Sequence, residues 1–328
     1  MACKLSRKEC ELKVFVSTHP FGVTSDLPLK LLKENKIEYV LNQYGRKITS
    51  EELAKSIGNA DILIAGTEKI TEEVFKNAPN LKLIARVGIG LDGIDFELCK
   101  KYNVKVTYTP DAPTIAVAEL TVGLIIDLAR KVTVTNNLMR SYKWKRHMGM
   151  LLYGKTIGIL GLGRIGKSLV HMLSTFNVKF KAHDINPDIA FGRLYNIDFV
   201  SKEEVLKESD VVTIHVPLKD DTKNYITLKE LELMKENAFL INTARGGIVN
   251  ESDLYEAIKR NIIAGAAIDV FEEEPYKGNL LKLENIITTC HMGASTIESR
   301  TKMEIEATEE VIRFKNGLPL KNEVFVNG

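Results

Sequence analysis

At 328 residues the chain suits two domains better than one, and a hydrophobic fraction of 45% with 27% charged residues is ordinary for a water-soluble globular protein. A formal net charge of +2, its basic residues scattered among acids, gives no electrostatic ground for a nucleic-acid partner. Four cysteines, Cys3, Cys10, Cys99 and Cys290, lack paired spacing; they predict no metal site and fit a reduced, cytoplasmic protein.

Residues 1–11 read as a charged, frayed leader without an apolar core of signal-peptide length. From Leu12 to Tyr108 strands and helices alternate. LKVFVS (12–17), IEYVLN (37–42), ADILIAG (60–66), LKLIARV (81–87) and VKVTY (104–108) read as strands. SEELAKSI and TEEVFKNA between them have helical patterns, with Ser50 and Thr71 as candidate N-caps ahead of glutamates. Alternation of this kind predicts a parallel sheet covered on both faces. TPDAPT (109–114), with Pro110 and Pro113, is a break suited to a hinge.

A long helix is predicted from about Ile115 to Met139. Apolar residues cover much of its circumference, which implies burial in a core or at a subunit interface. Its most apolar part, Leu120–Ala129, is short and interrupted by Asp127, so no membrane span is predicted.

The segment Lys155–Asp184 carries the most informative pattern. Thr156–Leu160 reads as a buried strand, Gly161, Gly163 and Gly166 follow in the spacing G-x-G-x-x-G, and Ile165–Phe176 reads as an amphipathic helix. A second strand, Lys179–Ala182, leads to Asp184, 18 residues after Gly166. Each part suits a dinucleotide. Gly161 permits the tight turn, Gly163 clears the way for a pyrophosphate, and Gly166 allows close helix–strand packing. The helix N-terminus favours the phosphates, and Asp184 can accept from the ribose hydroxyls. A carboxylate there repels a 2′-phosphate, and Ile185 and Asn186 add no positive charge, so NAD is expected rather than NADP.

Four later segments, DVVTIHVP, NAFLINTARGG, IAGAAIDVF and NIITTCHMGAS, read as strand followed by loop. Asn250–Arg260 and Ser295–Asn316 read as helices, the second ended by Gly317 and Pro319, and Val324–Val326 is a last apolar piece. In open parallel sheets the loops after the strands bind ligand, so their polar residues are the site candidates. Arg245 in NTARGG can grip a carboxylate through two parallel hydrogen bonds. His291 in CHMGAS is suited to carry the proton of an alcohol–ketone interconversion, with Gly293 leaving room beside it. Glu274 in FEEEP could fix the tautomer of that histidine and raise its pKa. Taken singly, each also reads as an ordinary surface or core residue, and linear spacing does not show that they meet.

The strings GKTIGILGLGRIG, NTARGGIV, AIDVFEEEP and HMGAST, in this order, resemble the D-2-hydroxyacid dehydrogenase family from about Asp61 to Asn316. ARVGIGLDGID, the tip Trp144–Arg146, ARGGIVNE and HMGAST are most similar to the D-3-phosphoglycerate dehydrogenases within it. The resemblance implies an α/β fold of two Rossmann-like parallel-sheet domains with the active site in the cleft between them. Residues 1–113 and 299–328 would form the substrate-binding domain and residues 114–298 the NAD-binding domain.

The implied catalytic set is Arg245, Glu274 and His291. Asp269 would face the nicotinamide carboxamide, His215, Val216 and Pro217 would flank the adenine, and Thr243 and Ala244 would run along the cofactor with Arg245. Arg164, Ile165, Thr222 and Gly293 complete the expected cofactor contacts. The backbone of Val87–Gly90, Gly88 included, would hold the substrate carboxylate. The helix over 115–139 and Trp144 would lie in the interface of a homodimer or a dimer of dimers. A small-molecule substrate is implied, with no nucleic-acid or membrane partner.

Three departures from the family pattern qualify this. The chain stops at Gly328, so the carboxy-terminal regulatory domains of longer phosphoglycerate dehydrogenases, and feedback by serine through them, are not expected. GTEKIT (66–71) lacks an arginine that some members use near a substrate phosphate, which leaves Arg86 and Arg146 either as phosphate partners or as solvated surface arginines. Cys290 stands where a proline commonly precedes the histidine. Glu274 argues against formate, because formate-oxidising members carry a glutamine there. The expected substrate is D-3-phosphoglycerate or a related phosphorylated or short hydroxyacid. The alternatives are a glyoxylate/hydroxypyruvate reductase, a D-lactate-type dehydrogenase and, from another class, a dinucleotide-sensing corepressor-like scaffold.

Overall fold

The computed structural model describes residues 12–324. The expected leader, with Cys3 and Cys10, and residues 325–326 of the last apolar piece lie outside the described residues. The chain divides into two compact units: one holds the residues up to Pro113 and from Thr296 onward, the other is Thr114–Ser295.

The first unit is built on five parallel strands, β1 (Lys13–Val16), β2 (Glu38–Leu41), β3 (Ile62–Ala65), β4 (Leu83–Arg86) and β5 (Lys105–Thr107), in the order β2-β1-β3-β4-β5. Each falls inside a segment whose apolar run predicts it. β3 and β4 are buried along their whole length, as helices on both faces of a parallel sheet require. The end of the chain belongs to this unit. Helix Ile297–Lys315 packs on β4 and on helix Leu27–Glu34. It starts from an N-cap at Thr296 rather than at Ser295, and the left-handed Gly317 follows it. Beyond it, the Val324 amide donates to the Val106 carbonyl at 2.9 Å.

The N-cap of helix Ser50–Ser56 is Thr49, not Ser50. The Thr49 hydroxyl accepts from the Glu52 amide at 3.2 Å, and the Glu52 carboxylate accepts from the Thr49 amide at 3.0 Å. Glu52 stands three residues after Thr49, the spacing a reciprocal cap needs, whereas Leu53 stands three after Ser50. Thr71 does precede its helix, Glu72–Asn77, but forms no side-chain cap bond.

The second unit carries seven parallel strands: β6 (Thr156–Leu160), β7 (Lys179–His183), β8 (Ile197–Phe199), β9 (Val211–Ile214), β10 (Phe239–Asn242), β11 (Gly265–Ile268) and β12 (Ile286–Thr288). Their order is β12-β11-β10-β9-β6-β7-β8. Successive side chains alternate between two cores. Ile157, Ile159, Val211 and Ile241 join one, and Leu160, Val212, Ile214 and Leu240 join the other. β8 escapes the sequence reading because it is a three-residue edge strand with only Ile197 buried.

The long helix expected over 115–139 is two helices, Thr114–Arg130 and Val132–Arg140, separated by Lys131 in the left-handed conformation (φ 54°). Asp127 is the cause. Its carboxylate accepts from the Thr133 amide at 2.8 Å and from the Thr133 hydroxyl, capturing the start of the second helix. The first helix is a core element, while the second buries none of its residues. The helix after the glycine motif, Arg164–Leu173, ends before Phe176, with Ser174–Phe176 tightened into a 3-10 turn.

The cap geometry sets a stability difference. Thr49→Ala removes a hydroxyl acceptor and should cost about 1 kcal/mol. Thr71→Ala, with no cap bond to lose, should cost well below that in the same denaturant titration.

Candidate active site

The strand order of the second unit reverses at β6, so the ends of β6, β7 and β9 open a crevice of the kind that takes a dinucleotide. Gly161 turns out of β6 at φ 93°, its amide bonded to the His183 carbonyl of β7 at 2.9 Å. A Cβ on Gly161 would lie 2.8 Å from the backbone of His215 after β9 and 2.9 Å from Val216. A Cβ on Gly166 would lie 2.6 Å from the Gly161 carbonyl. Gly163, the N-cap of helix Arg164–Leu173, is different: nothing lies within 4 Å of where its Cβ would be. Two of the glycines are therefore demanded by packing. The third leaves open space at a helix N-terminus, where a pyrophosphate fits. Asp184 after β7 is tied to this loop, one oxygen accepting from the Leu162 amide at 2.7 Å and the other from the Asn186 amide at 2.8 Å.

The loops after β11 and β12 bring Glu274 and His291 together. His291 Nδ1 lies 3.0 and 2.9 Å from the two carboxylate oxygens of Glu274. A carboxylate only accepts, so Nδ1 carries the ring proton and Nε2 is left for a reacting group. Glu274 Oε1 also accepts from the Phe271 amide at 3.1 Å.

His291 is held in the left-handed region (φ 53°), a conformation costing on the order of 1–3 kcal/mol that persists only where neighbours impose it. Asp269 imposes it. Its carbonyl accepts from the His291 amide at 2.8 Å, and its carboxylate accepts from Thr289 Oγ1 at 2.6 Å and from the Met292 and Gly293 amides at 2.8 and 2.9 Å. Both oxygens of the residue expected to face the nicotinamide are thus engaged with the His291 loop. Gly293 stands in the same close approach, since a Cβ there would lie 3.2 Å from the Asp269 carboxylate.

Arg245 is placed from below. The buried Asn242 at the end of β10 donates to the Arg245 carbonyl at 2.9 Å and accepts from the Ala244 amide at 3.0 Å. Arg245 itself donates to the Ala244 carbonyl at 2.6 Å. Sequence reading missed Asn242, although a side-chain amide ending a buried apolar strand must find partners. Gly246 joins this loop to the next: a Cβ there would lie 2.0 Å from the Phe271 carbonyl.

The other expected cofactor residues line the same strand ends. Arg164 and Ile165 open the helix after Gly163. Burial pushes the His215 pKa down to about 4, so the ring is neutral. Its Nε2 pairs with Thr213 Oγ1 at 3.0 Å, and its Nδ1 is enclosed with no hydrogen-bond partner. Thr222 braces the loop after β9, donating to the Pro217 carbonyl at 2.6 Å and accepting from the Lys219 amide at 2.7 Å. Thr243 is buried, 3.0 Å from the Thr121 hydroxyl, which donates to the Val117 carbonyl; Thr243 is therefore the donor to Thr121. Ala244 is buried beside Arg245.

The expected substrate residues are placed less simply. In the first unit Arg86 is 8% exposed, donates to the Val87 carbonyl, and packs so closely beneath Gly88 that a Cβ there would lie 2.8 Å from its guanidinium. It is not a solvated surface arginine. The Val87 amide donates to the Ala65 carbonyl at 2.9 Å and the Gly88 amide to Thr109 Oγ1 at 2.8 Å. Arg146 of the second unit lies in an exposed segment after helix Val132–Arg140.

Residues 122–293 match the family model described as "D-isomer specific 2-hydroxyacid dehydrogenase, NAD binding domain". The chain is 40% identical to D-3-phosphoglycerate dehydrogenase of Methanocaldococcus jannaschii over 84% of its length, but spans only 54% of that enzyme. It is 37% identical to glyoxylate reductase of Pyrococcus horikoshii, covering 90% of this chain and 92% of that one. A solved NAD-dependent formate dehydrogenase from Staphylococcus aureus, in complex with NAD, superposes with a TM-score of 0.83 at 27% identity, covering 97% of this chain and all of that one. The chain belongs to the D-isomer-specific 2-hydroxyacid dehydrogenase family. It is an NAD-dependent oxidoreductase, and the open space at Gly163 fits the cofactor.

The two kinds of glycine separate in a paired experiment. Gly163→Ala should leave the unfolding temperature unchanged and weaken NADH binding measured by fluorescence. Gly166→Ala forces a methyl against the Gly161 carbonyl and should lose roughly 1–3 kcal/mol of stability.

Proposed function

We propose that Arg245, Glu274 and His291 interconvert a small D-2-hydroxyacid and its 2-ketoacid. The observation that carries this is the contact of His291 Nδ1 with both Glu274 oxygens, at 3.0 and 2.9 Å. It leaves Nε2 to take the hydroxyl proton on oxidation and return it on reduction. Arg245 holds the substrate carboxylate, with the fork geometry that a lysine lacks.

NAD, when bound, supplies the hydride acceptor or donor. Gly161, Gly163, Arg164, Ile165 and Gly166 hold its phosphates, Asp184 its ribose, and His215, Val216, Pro217 and Thr222 its adenine end. Thr243, Ala244, Asp269 and Gly293 shape its nicotinamide end. Because Asp269 already accepts from the His291 loop, a carboxamide contact there adds to an existing network. In the first unit the Val87 amide is engaged with the Ala65 carbonyl and the Gly88 amide with Thr109 Oγ1.

The substrate has two readings. D-3-phosphoglycerate requires a phosphate partner such as Arg86 or Arg146. The burial of Arg86 beneath Gly88 and its bond to the Val87 carbonyl favour the second reading, a short unphosphorylated acid such as glyoxylate or hydroxypyruvate. The exposed apolar segment after helix Val132–Arg140, with Tyr142 100%, Trp144 78% and Met148 93% exposed, supports a homodimer. The thiol of Cys290, exposed and unpaired, suits a reducing cytoplasm.

Two measurements test this reading. NADH oxidation should be compared with glyoxylate, hydroxypyruvate and 3-phosphohydroxypyruvate; kcat/KM is expected to be lowest for the phosphorylated acid, and the reverse order returns the assignment to phosphoglycerate. His291→Ala should reduce kcat by about 10²–10⁴ with NADH affinity retained. An undiminished rate would remove His291 as the proton carrier.

A further inference from the structure

The segment ARGGIVNE supplies Arg245 and its glycines to the site and leaves Glu251 without a role. Glu251 is the first residue of helix Glu251–Lys259, behind the N-cap Asn250, whose side chain accepts from the Asp253 amide at 3.0 Å. The carboxylate of Glu251 reaches across to another loop. Its Oε1 accepts the backbone N–H of Glu272 at 2.8 Å. The Tyr276 ring is stacked on Phe271, with centroids 4.1 Å apart and planes 15° apart.

These contacts converge on one turn. Phe271, Glu272 and Glu274 belong to it, and Glu274 Oε1 closes it by accepting from the Phe271 amide at 3.1 Å. One side rests on Gly246, where a Cβ would lie 2.5 Å from the Glu272 nitrogen. The same nitrogen is the donor to Glu251. The Arg245 loop and the Glu274 turn are thus clamped at the Glu272 peptide, by a missing side chain on one residue and a reaching carboxylate on another. Burial holds the Glu251 pKa above its ordinary value, which fits a carboxyl kept at this loop rather than in free solvent.

We propose that Glu251 is a positioning residue for the reaction: through the Glu272 amide it sets where the Glu274 turn meets His291. This rests on the roles given above to Glu274 and His291. What matters on this account is the reach of the side chain, whereas an acid that merely favours the helix dipole acts through its charge. Two conservative variants separate the cases. Glu251→Gln keeps the length and an acceptor oxygen but loses the charge. Glu251→Asp keeps the charge but is one methylene short.

The experiment is steady-state reduction of hydroxypyruvate by NADH in the full chain, with NADH affinity and unfolding temperature measured on each variant. E251Q should retain a kcat close to wild type. E251D should lose about 10–100-fold in kcat, the scale of an ångström-sized misplacement, with KM for NADH and the unfolding temperature unchanged. Glu251→Ala removes the reach altogether; it should lower kcat at least as far as E251D and gives a readout if E251D does not fold. Wild-type kcat in E251D or in Glu251→Ala overturns the inference, as does an E251Q loss as deep as that of E251D. Failure of the underlying reading is visible separately, as no turnover by the wild type or full activity in His291→Ala, and takes this inference with it.

Discussion

The Asp269 carboxylate accepts hydrogen bonds from the Thr289 hydroxyl and from the Met292 and Gly293 amides, and the Asp269 carbonyl accepts from the His291 amide. Four donors from five consecutive residues are gathered on one buried acid. An ion at 1% exposure is tolerable only when its lone pairs are filled in this way. The exchange is mutual: the loop satisfies the acid, and the acid keeps His291 in a backbone conformation it would not choose. Glu274 then fixes the ring. Asp269 decides where the imidazole sits, and Glu274 decides which nitrogen bears the proton. The two carboxylates divide one task because one is enclosed by N–H groups and the other keeps about a third of its side chain exposed.

Close backbone approach is the second theme. Gly161, Gly166, Gly246 and Gly293 each stand where a methyl group would meet a neighbouring backbone or the Asp269 carboxylate at 3.2 Å or less. They join β6 to β9, the motif helix to its strand, the Arg245 loop to the Glu274 turn, and the His291 loop to Asp269. Gly163 alone among the motif glycines faces open space. A spacing of three glycines therefore encodes two different physical demands, packing at the ends and access in the middle.

This distinction also explains what was legible in the sequence. β6, the glycine turn and the run to Asp184 are local: a short apolar strand, residues without side chains and an amphipathic helix need no distant partner to be read. Arg245, Glu274 and His291 were visible as chemistry from their residue types, and as a set only through the family resemblance, because the side-by-side placement of β10, β11 and β12 is tertiary. The failures are tertiary too. Lys131 breaks a continuous helical pattern because Asp127 captures Thr133 from within the first helix. Asn242 and Glu251 look like a strand-end amide and a helix-start acid, and their partners lie in loops that no periodicity connects. Arg86, open to two readings from its sequence position, is settled as buried by the glycine above it.

Two histidines at strand ends of one sheet sit in opposite surroundings. His215, after β9, is enclosed, with one nitrogen on Thr213 and the other unpartnered, and burial keeps it neutral down to about pH 4. A proton there would be a buried charge without a counterion, which the fold does not accommodate. His291, after β12, is 41% exposed and rests on an acceptor-only carboxylate. The same side chain is thus enclosed and neutral on one strand end, and partly exposed beside a carboxylate on another. The difference comes from the neighbours: a threonine hydroxyl and enclosure at β9, a glutamate and open solvent at β12.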